Sequence, residues 1–149
     1  MAIILQPFRL DLPGFDDLLT ESRTEGHRML ERLQEAWANG RNRFASAGEF
    51  MNAAFIGGQL VGVGGRSRDP YFPSRNYGRV RHVYVAGNAR RLGAGKALVA
   101  RTLIDDAQAF EAINTRAPKA AFAFYESLRF VPVASDDHVT HRYDLSIRR

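Results

Sequence analysis

Val83 to Ala97 reads Val-Tyr-Val-Ala-Gly-Asn-Ala-Arg-Arg-Leu-Gly-Ala-Gly-Lys-Ala, and no other stretch constrains the fold as much. Three β-prone residues run into a turn. Two arginines and a Gly-Ala-Gly step follow, and then an amphipathic helical pattern begins. A strand, a glycine-rich turn and a helix start, in that order, bring backbone N–H groups together on an anion.

The flanking sequence is a series of short, separately readable elements. Ala2 to Leu10 reads as a first strand, ended by Pro13-Gly14, and Phe15 to Ser22 as a short helix on Phe15, Leu18 and Leu19. Met29, Leu30, Leu33, Ala36 and Trp37 form one helical stripe that Asn39-Gly40 stops. Glu49 to Ile56 and Gln59 to Arg68 flank Gly57-Gly58 as a hairpin, because paired glycines supply the positive φ of a two-residue turn. Gly62, Gly64 and Gly65 weaken the second strand and predict a bulge or a close neighbour there. Gly78 to Val85 is the next strand. A helix is expected from Leu92 to Gln108 on Val99, Leu103, Ile104 and Ala107, then a strand over Phe110 to Thr115. Lys119 to Leu128 carries Ala121, Phe124, Tyr125 and Leu128 at helical spacing, and strands over Phe130 to Ala134 and Val139 to Ile147 close the chain. The order β-α-α-β-β-β-α-β-α-β-β describes a mixed α/β fold, expected as one domain over residues 1–149.

Composition excludes several classes. No apolar run is long enough to span a bilayer and the first residues make no signal peptide, so a cytoplasmic protein without a membrane partner is expected. The absence of cysteine removes disulfides, thiolate metal sites and a cysteine nucleophile. His27, His82, His138 and His141 are scattered, with the last two on opposite faces of an expected strand, so no metal site is expected. The net charge of +5 favours anionic partners, but it is diffuse and has few interleaved aromatics, which disfavours nucleic acid.

Three phosphate-loop patterns can be set against the glycine turn. A Walker A loop fails because Arg90 stands at its first glycine and Ala97 at its last hydroxyl position. A dinucleotide fingerprint starting at Gly93 meets Leu98 where a small residue is required. Arg90-x-x-Gly93-x-Gly95 after a short strand fits an Arg/Gln-x-x-Gly-x-Gly/Ala pattern at every fixed position. About thirty residues on, Ala121-Phe122-Ala123-Phe124-Tyr125-Glu126-Ser127-Leu128-Arg129-Phe130 matches Ala-x-x-Phe-Tyr-Glu-x-Leu-Gly-Phe. With these two motifs and this element order the chain resembles the GCN5-related N-acetyltransferase (GNAT) family, most weakly before Phe50. Gly87, Pro118 and Arg129 depart from the family's common proline, asparagine and helix-ending glycine.

The resemblance implies an α/β (α+β mixed) fold around a mixed, mostly antiparallel sheet of six to seven strands with about four helices. It implies acetyl-CoA as acyl donor, a primary amine as acceptor and no metal. The amides of Arg91, Leu92, Gly93, Ala94, Gly95 and Lys96 would hold the pyrophosphate at the helix N-terminus, where the dipole adds ~0.5–1 kcal/mol. Arg90 and Arg91 would add charge. Val83, Tyr84 and Val85 would lie along the pantetheine arm, with the Val85 amide on the thioester carbonyl. Asn114, Phe124 and Tyr125 would complete the cofactor site.

Two residues are expected to catalyse. Tyr125 stands where the family often protonates the departing thiolate, although it also lies on an apolar stripe. For the base, a regular strand puts Arg79, Arg81, Val83 and Val85 on one face and Val80, His82 and Tyr84 on the other. His82 is the titratable base on that strand, set against a buried, hydrogen-bonded histidine, with Glu49 or a water chain as alternatives. Arg66, Arg68, Arg75, Arg79 and Arg81 suggest an anionic group on the acceptor, or else solvated strand edges. A non-catalytic CoA-binding or sensor module and a basic nucleic-acid-binding protein are the rival readings, and exposed sheet edges allow a homodimer.

Overall fold

The computed structural model describes residues 2–148. Its elements are β1 (Ile3–Pro7), α1 (Phe15–Thr24), α2 (Met29–Ala38), β2 (Phe50–Ile56), β3 (Gln59–Arg68), β4 (Tyr77–Val85), α3 (Ala94–Thr102), β5 (Ala112–Thr115), α4 (Phe122–Ser127), β6 (Val131–Pro132) and β7 (His141–Asp144). The strands form one seven-stranded sheet in the order β1-β2-β3-β4-β5-β7-β6. Every neighbouring pair is antiparallel except β4 and β5. That pair is parallel because α3 crosses over between its two strands.

Turn chemistry accounts for the element ends. Gly57 and Gly58 have φ of 58° and 79°, the two positive values that a tight hairpin needs. α2 ends at Asn39, and Gly40 follows with φ 75°. Arg129, in place of the expected glycine, adopts φ 73° after α4.

Several boundaries differ from the sequence expectation. β1 stops at Pro7, and Phe8 and Leu12 leave the strand to enter the core beside Phe15. The last two strands shrink to Val131–Pro132 and His141–Asp144. α3 ends at Thr102, six residues early, with Ile104 half exposed. Tertiary contacts stop it. Arg66 donates to the Thr102 and Ile104 carbonyls at 2.7 and 3.1 Å, its guanidinium lying about 5 Å from the Phe50 and Phe110 rings. The Asp105 carboxylate then accepts the amides of Ala109 and Phe110 at 3.1 and 2.9 Å. A buried guanidinium thus satisfies carbonyls that the helix end would leave unpaired.

Helices pack on both faces of the sheet. Gly62 and Gly64 face α3: a Cβ on either would stand 3.4 or 3.3 Å from Leu98. The alternating Val61 and Val63 point to the other face and join Leu18, Leu30 and Leu33 of α1 and α2. The glycines serve both anticipated purposes, since the β3–β4 register also shifts between Val63 and Gly65.

That shift changes the parity of β4. Gly65 pairs with Arg81 and Val63 with Tyr84, so β4 carries one extra residue. The extra residue lies at His82, whose φ is 55°. Val80 and Val83, three apart, consequently pack in the same cluster, while the Tyr84 hydroxyl reaches Glu21 of α1 at 2.6 Å. The regular alternation expected for Arg79 to Val85 does not hold. Desolvation, with the Arg81 and Arg32 charges nearby, pushes the His82 imidazole down to about 3. An unfolded histidine titrates near 6.5, so His82 contributes its full stability above that pH and loses it progressively as the pH falls towards 3.

Gly65→Ala is expected to cost roughly 1–3 kcal/mol in urea unfolding, because the new Cβ would lie 2.1 Å from the Phe50 carbonyl oxygen. An unchanged midpoint would refute the close approach. His82→Asn, which tolerates the positive φ, is expected to lessen the fall in Tm between neutral and acid pH. A fall of unchanged size would show that the imidazole is not held neutral.

Candidate active site

β4 and β5 pair only from Tyr77 to Arg79 with Ala112 to Asn114, and then diverge. Between the parted strands lies a cleft of about 470 Å³. It runs from His27 and Met29, at the α1–α2 connection, past Val83 and Val85 to Gly95, Phe124 and Tyr125. A second hollow of about 470 Å³, lined by Arg91, Gly93, Lys96 and Ser127, shares Val85, Arg90, Gly95 and Phe124 with the first. The two adjoin at the start of α3.

That helix start suits an anion. The Ala97 amide bonds the Gly93 carbonyl at 2.9 Å, so the amides of Ala94, Gly95 and Lys96 precede the first intrahelical bond. Gly93 caps the helix at φ 96°, a conformation that disfavours a side chain. At Gly95 an added Cβ would make only ordinary contacts, 3.6 Å from Val85 and 3.8 Å from Phe124. Internal packing therefore leaves room there, and a side chain at Gly95 would project where the two hollows meet. A glycine-lined approach to free amides fits a pyrophosphate.

One expected anion contact, Arg90, also has partners within the protein. Arg90 donates to Glu25 at 2.6 Å and, through Nε, to the Val85 carbonyl at 3.1 Å, with Tyr84 Oη 3.3 Å away. The Glu25 hydrogen bond raises its pKa. Arg90 thus ties the turn to α1 as well as lining the cleft. Arg91 is exposed at φ 66°, Leu92 is 45% exposed, and Ala94 is buried beneath the turn. Only the backbone of Ala94 is then free to serve an anion.

Along the arm of the cleft the Val85 carbonyl is taken by Arg90, and its amide is left for the cleft. The Ala86 amide donates to Val61 at 2.8 Å, which makes Val61–Ala86 a hydrogen-bonded pair. Such pairs alternate in an antiparallel ladder, so the N–H and C=O of Val85 turn away from β3 towards the cleft. The Tyr84 side chain instead bridges Glu21 and Glu25 at 2.6 and 2.9 Å, and burial with these two carboxylates raises its pKa.

Tyr125 lines the cleft and is buried, which raises its pKa and keeps the phenol protonated, against a smaller opposing effect of the Thr115 hydroxyl. The raised pKa keeps the proton in place at neutral pH but makes the phenol a weaker acid, so donation to a thiolate relies on its position in the cleft. His82 also lines the cleft, with its ring against Phe44 at 5.9 Å rather than in a hydrogen bond. Held near 3, it is a poor base at neutral pH. Asn114 is not brought to the cleft. Its amide donates to Asp69 at 2.9 Å and its carbonyl accepts from Arg142 at 2.6 Å in a buried network. Glu49 is occupied by the Arg68 amide at 2.8 Å.

The expected arginine cluster is mostly structural. Arg79 binds Asp69 and the His138 carbonyl, Arg75 binds Glu111, and Arg68 binds Asn76. Arg81 alone among them has a hydroxyl, Ser67 Oγ at 3.2 Å, as its hydrogen-bond partner. His138 lies before β7 and stacks on Tyr71, while His141 is buried against Glu126 at 2.8 Å. No group of three metal-ligating side chains occurs among the described residues. Sequence reading passed over His27, Thr115 and Arg116 as cleft residues; a lone histidine between two helices carries no motif.

Comparison with known proteins agrees with this geometry. No curated protein matches the chain. An assigned acetyltransferase from Exiguobacterium sp. 255-15 superposes with TM-score 0.85 at 27% identity, covering 97% of this chain and 94% of that one. An acetyltransferase of the GNAT family from Staphylococcus aureus Mu50 gives 0.73 at 17% identity over 97% and 99% of the two chains. The ribosomal-protein-alanine N-acetyltransferase of Brucella melitensis gives 0.66 at 22% over 93% and 94%. The last two similarities concern the fold alone. The sequence model of the acetyltransferase (GNAT) domain matches residues 19–142, most of the chain. With the parted β4–β5 pair and the open helix start already in view, that match makes the chain a member of the GNAT acetyltransferase family.

Proposed function

We propose that this protein transfers an acetyl group from acetyl-CoA to a primary amine by direct attack in a ternary complex. The observation that carries the reading is the cleft between β4 and β5, which joins an open edge of β4 to the free amides of α3. The pyrophosphate lies on the amides of Gly93 to Lys96, and the arm runs along Val83 to Val85. The Val85 amide meets the thioester oxygen and strengthens its hold as that oxygen gains charge. Tyr125 protonates the leaving sulfur. Cysteine is absent, so no cysteinyl intermediate divides the reaction into two steps.

The acceptor enters from the α1–α2 side, where His27 and Met29 line the cleft. An anionic group beside the acceptor amine is consistent with Arg116, which lines the cleft. The rival reading, a CoA-binding module without activity, draws on the weak basicity of His82.

Acetyl-CoA is expected to raise Tm, and Gly95→Glu, which places a carboxylate in the pyrophosphate path, to abolish the rise. No shift with the native protein at millimolar acetyl-CoA would overturn the donor assignment. Tyr125→Phe is expected to lower kcat about 10²-fold, within the usual range for loss of a general acid, while leaving the acetyl-CoA shift intact. Native turnover in the variant would assign Tyr125 to packing.

A further inference from the structure

Besides Arg90 and Arg116, four titratable side chains line the β4–β5 cleft: His27, His82, Tyr84 and Tyr125. His82 is desolvated and flanked by arginine charge, Tyr84 is committed to two carboxylates, and Tyr125 is a buried phenol. His27 differs from all three. It follows Gly26, which turns the chain at φ 84°, and its amide bonds the Ser22 carbonyl at 2.9 Å. Its imidazole is exposed at the α1–α2 end of the cleft, edge-on to the Tyr84 ring at 6.1 Å. Tyr125 comes from α4, on the other side of the cleft.

Resting on the acetyl-transfer reading above, we propose that His27 is the general base that takes the proton of the acceptor amine. Amine attack and thiolate departure need a base and an acid at different ends of the reacting carbon, and His27 and Tyr125 enter the cleft from different elements, the α1–α2 connection and α4. The amine lone pair forms the new C–N bond as the carbonyl π pair moves to the oxygen beside the Val85 amide. The N–H proton passes to His27, the returning pair breaks the C–S bond, and sulfur takes the Tyr125 proton. Solvent then removes the proton from His27 and reprotonates Tyr125, so amine and thioester become amide and thiol with no other reactant. Of the charged or titratable groups, Glu25 at the end of α1 feels the His27 charge, Tyr84 of β4 lies edge-on to its ring and Arg28 follows it in the chain, while His82, Arg90 and Arg116 line the same cleft. Arg90 and Tyr84 occupy Glu25, which limits the proton affinity it offers in competition with the imidazole.

The test follows thiol release from acetyl-CoA, using whichever of a panel of amino-acid amides, diamines and amino sugars the native protein acetylates fastest. A general base acts only when unprotonated, so native kcat/KM falls at acid pH. His27→Gln and His27→Ala are expected to lower kcat/KM about 10²- to 10³-fold, to lose that acid limb and to keep the acetyl-CoA melting shift. Added imidazole should restore part of the His27→Ala rate. Native rates with an unchanged acid limb in both variants would overturn the assignment. A native protein whose Tm acetyl-CoA does not move would instead remove the donor reading, and the assignment of His27 with it.

Discussion

β4 and β5 stay hydrogen-bonded for three residue pairs and then separate, and the rest of the structure depends on that separation. Near the paired end, Gly78 lets the strands approach closely, since a Cβ there would stand 2.7 Å from Ile113. Asp69, Arg79 and Asn114 brace the same end with buried hydrogen bonds. At the other end His82 adds a residue to β4, and a bulge bends and twists the strand that carries it. One strand is thus fixed at its base and redirected above it. The opening exposes the Val85 amide, admits the α1–α2 connection on one side and receives α4 on the other.

Most of the arginine content is used within the fold. Arg66 closes the end of α3, Arg79 braces β4, Arg75 joins the β3–β4 loop to Glu111, and Arg90 holds the glycine turn to α1. Burying a guanidinium is costly unless carbonyls or carboxylates surround it, and Arg66 and Arg79 each have several such partners. A positive composition therefore says less about ligands than it first suggests. The start of α3 presents free backbone amides, whose partial charge does not appear in a count of lysine and arginine.

Local patterns made much of this legible in advance. The Gly57-Gly58 hairpin, the helices of Phe15 and Met29, and the turn around Gly93 follow from residue chemistry acting over a few positions. The Arg90 to Gly95 motif located the open helix start for the same reason. The further tie of Arg90 to Glu25 was not legible, because Glu25 lies far off in sequence and meets it only in the fold. Asn114 was misplaced similarly, since Asp69 and Arg142 come to it from other elements.

The amino-acid sequence alone determined the order of elements, the mixed sheet and the glycine turn that opens α3, because hydrophobic period and glycine geometry are local properties. Only the tertiary structure decided where α3 stops, which way β4 faces after His82, and which histidine lies open to the cleft. Those outcomes depend on a guanidinium from another strand, on one inserted residue in a ladder, and on burial. Each is a relation between segments far apart along the chain, and no residue in Val83 to Ala97 or its flanks encodes it by itself.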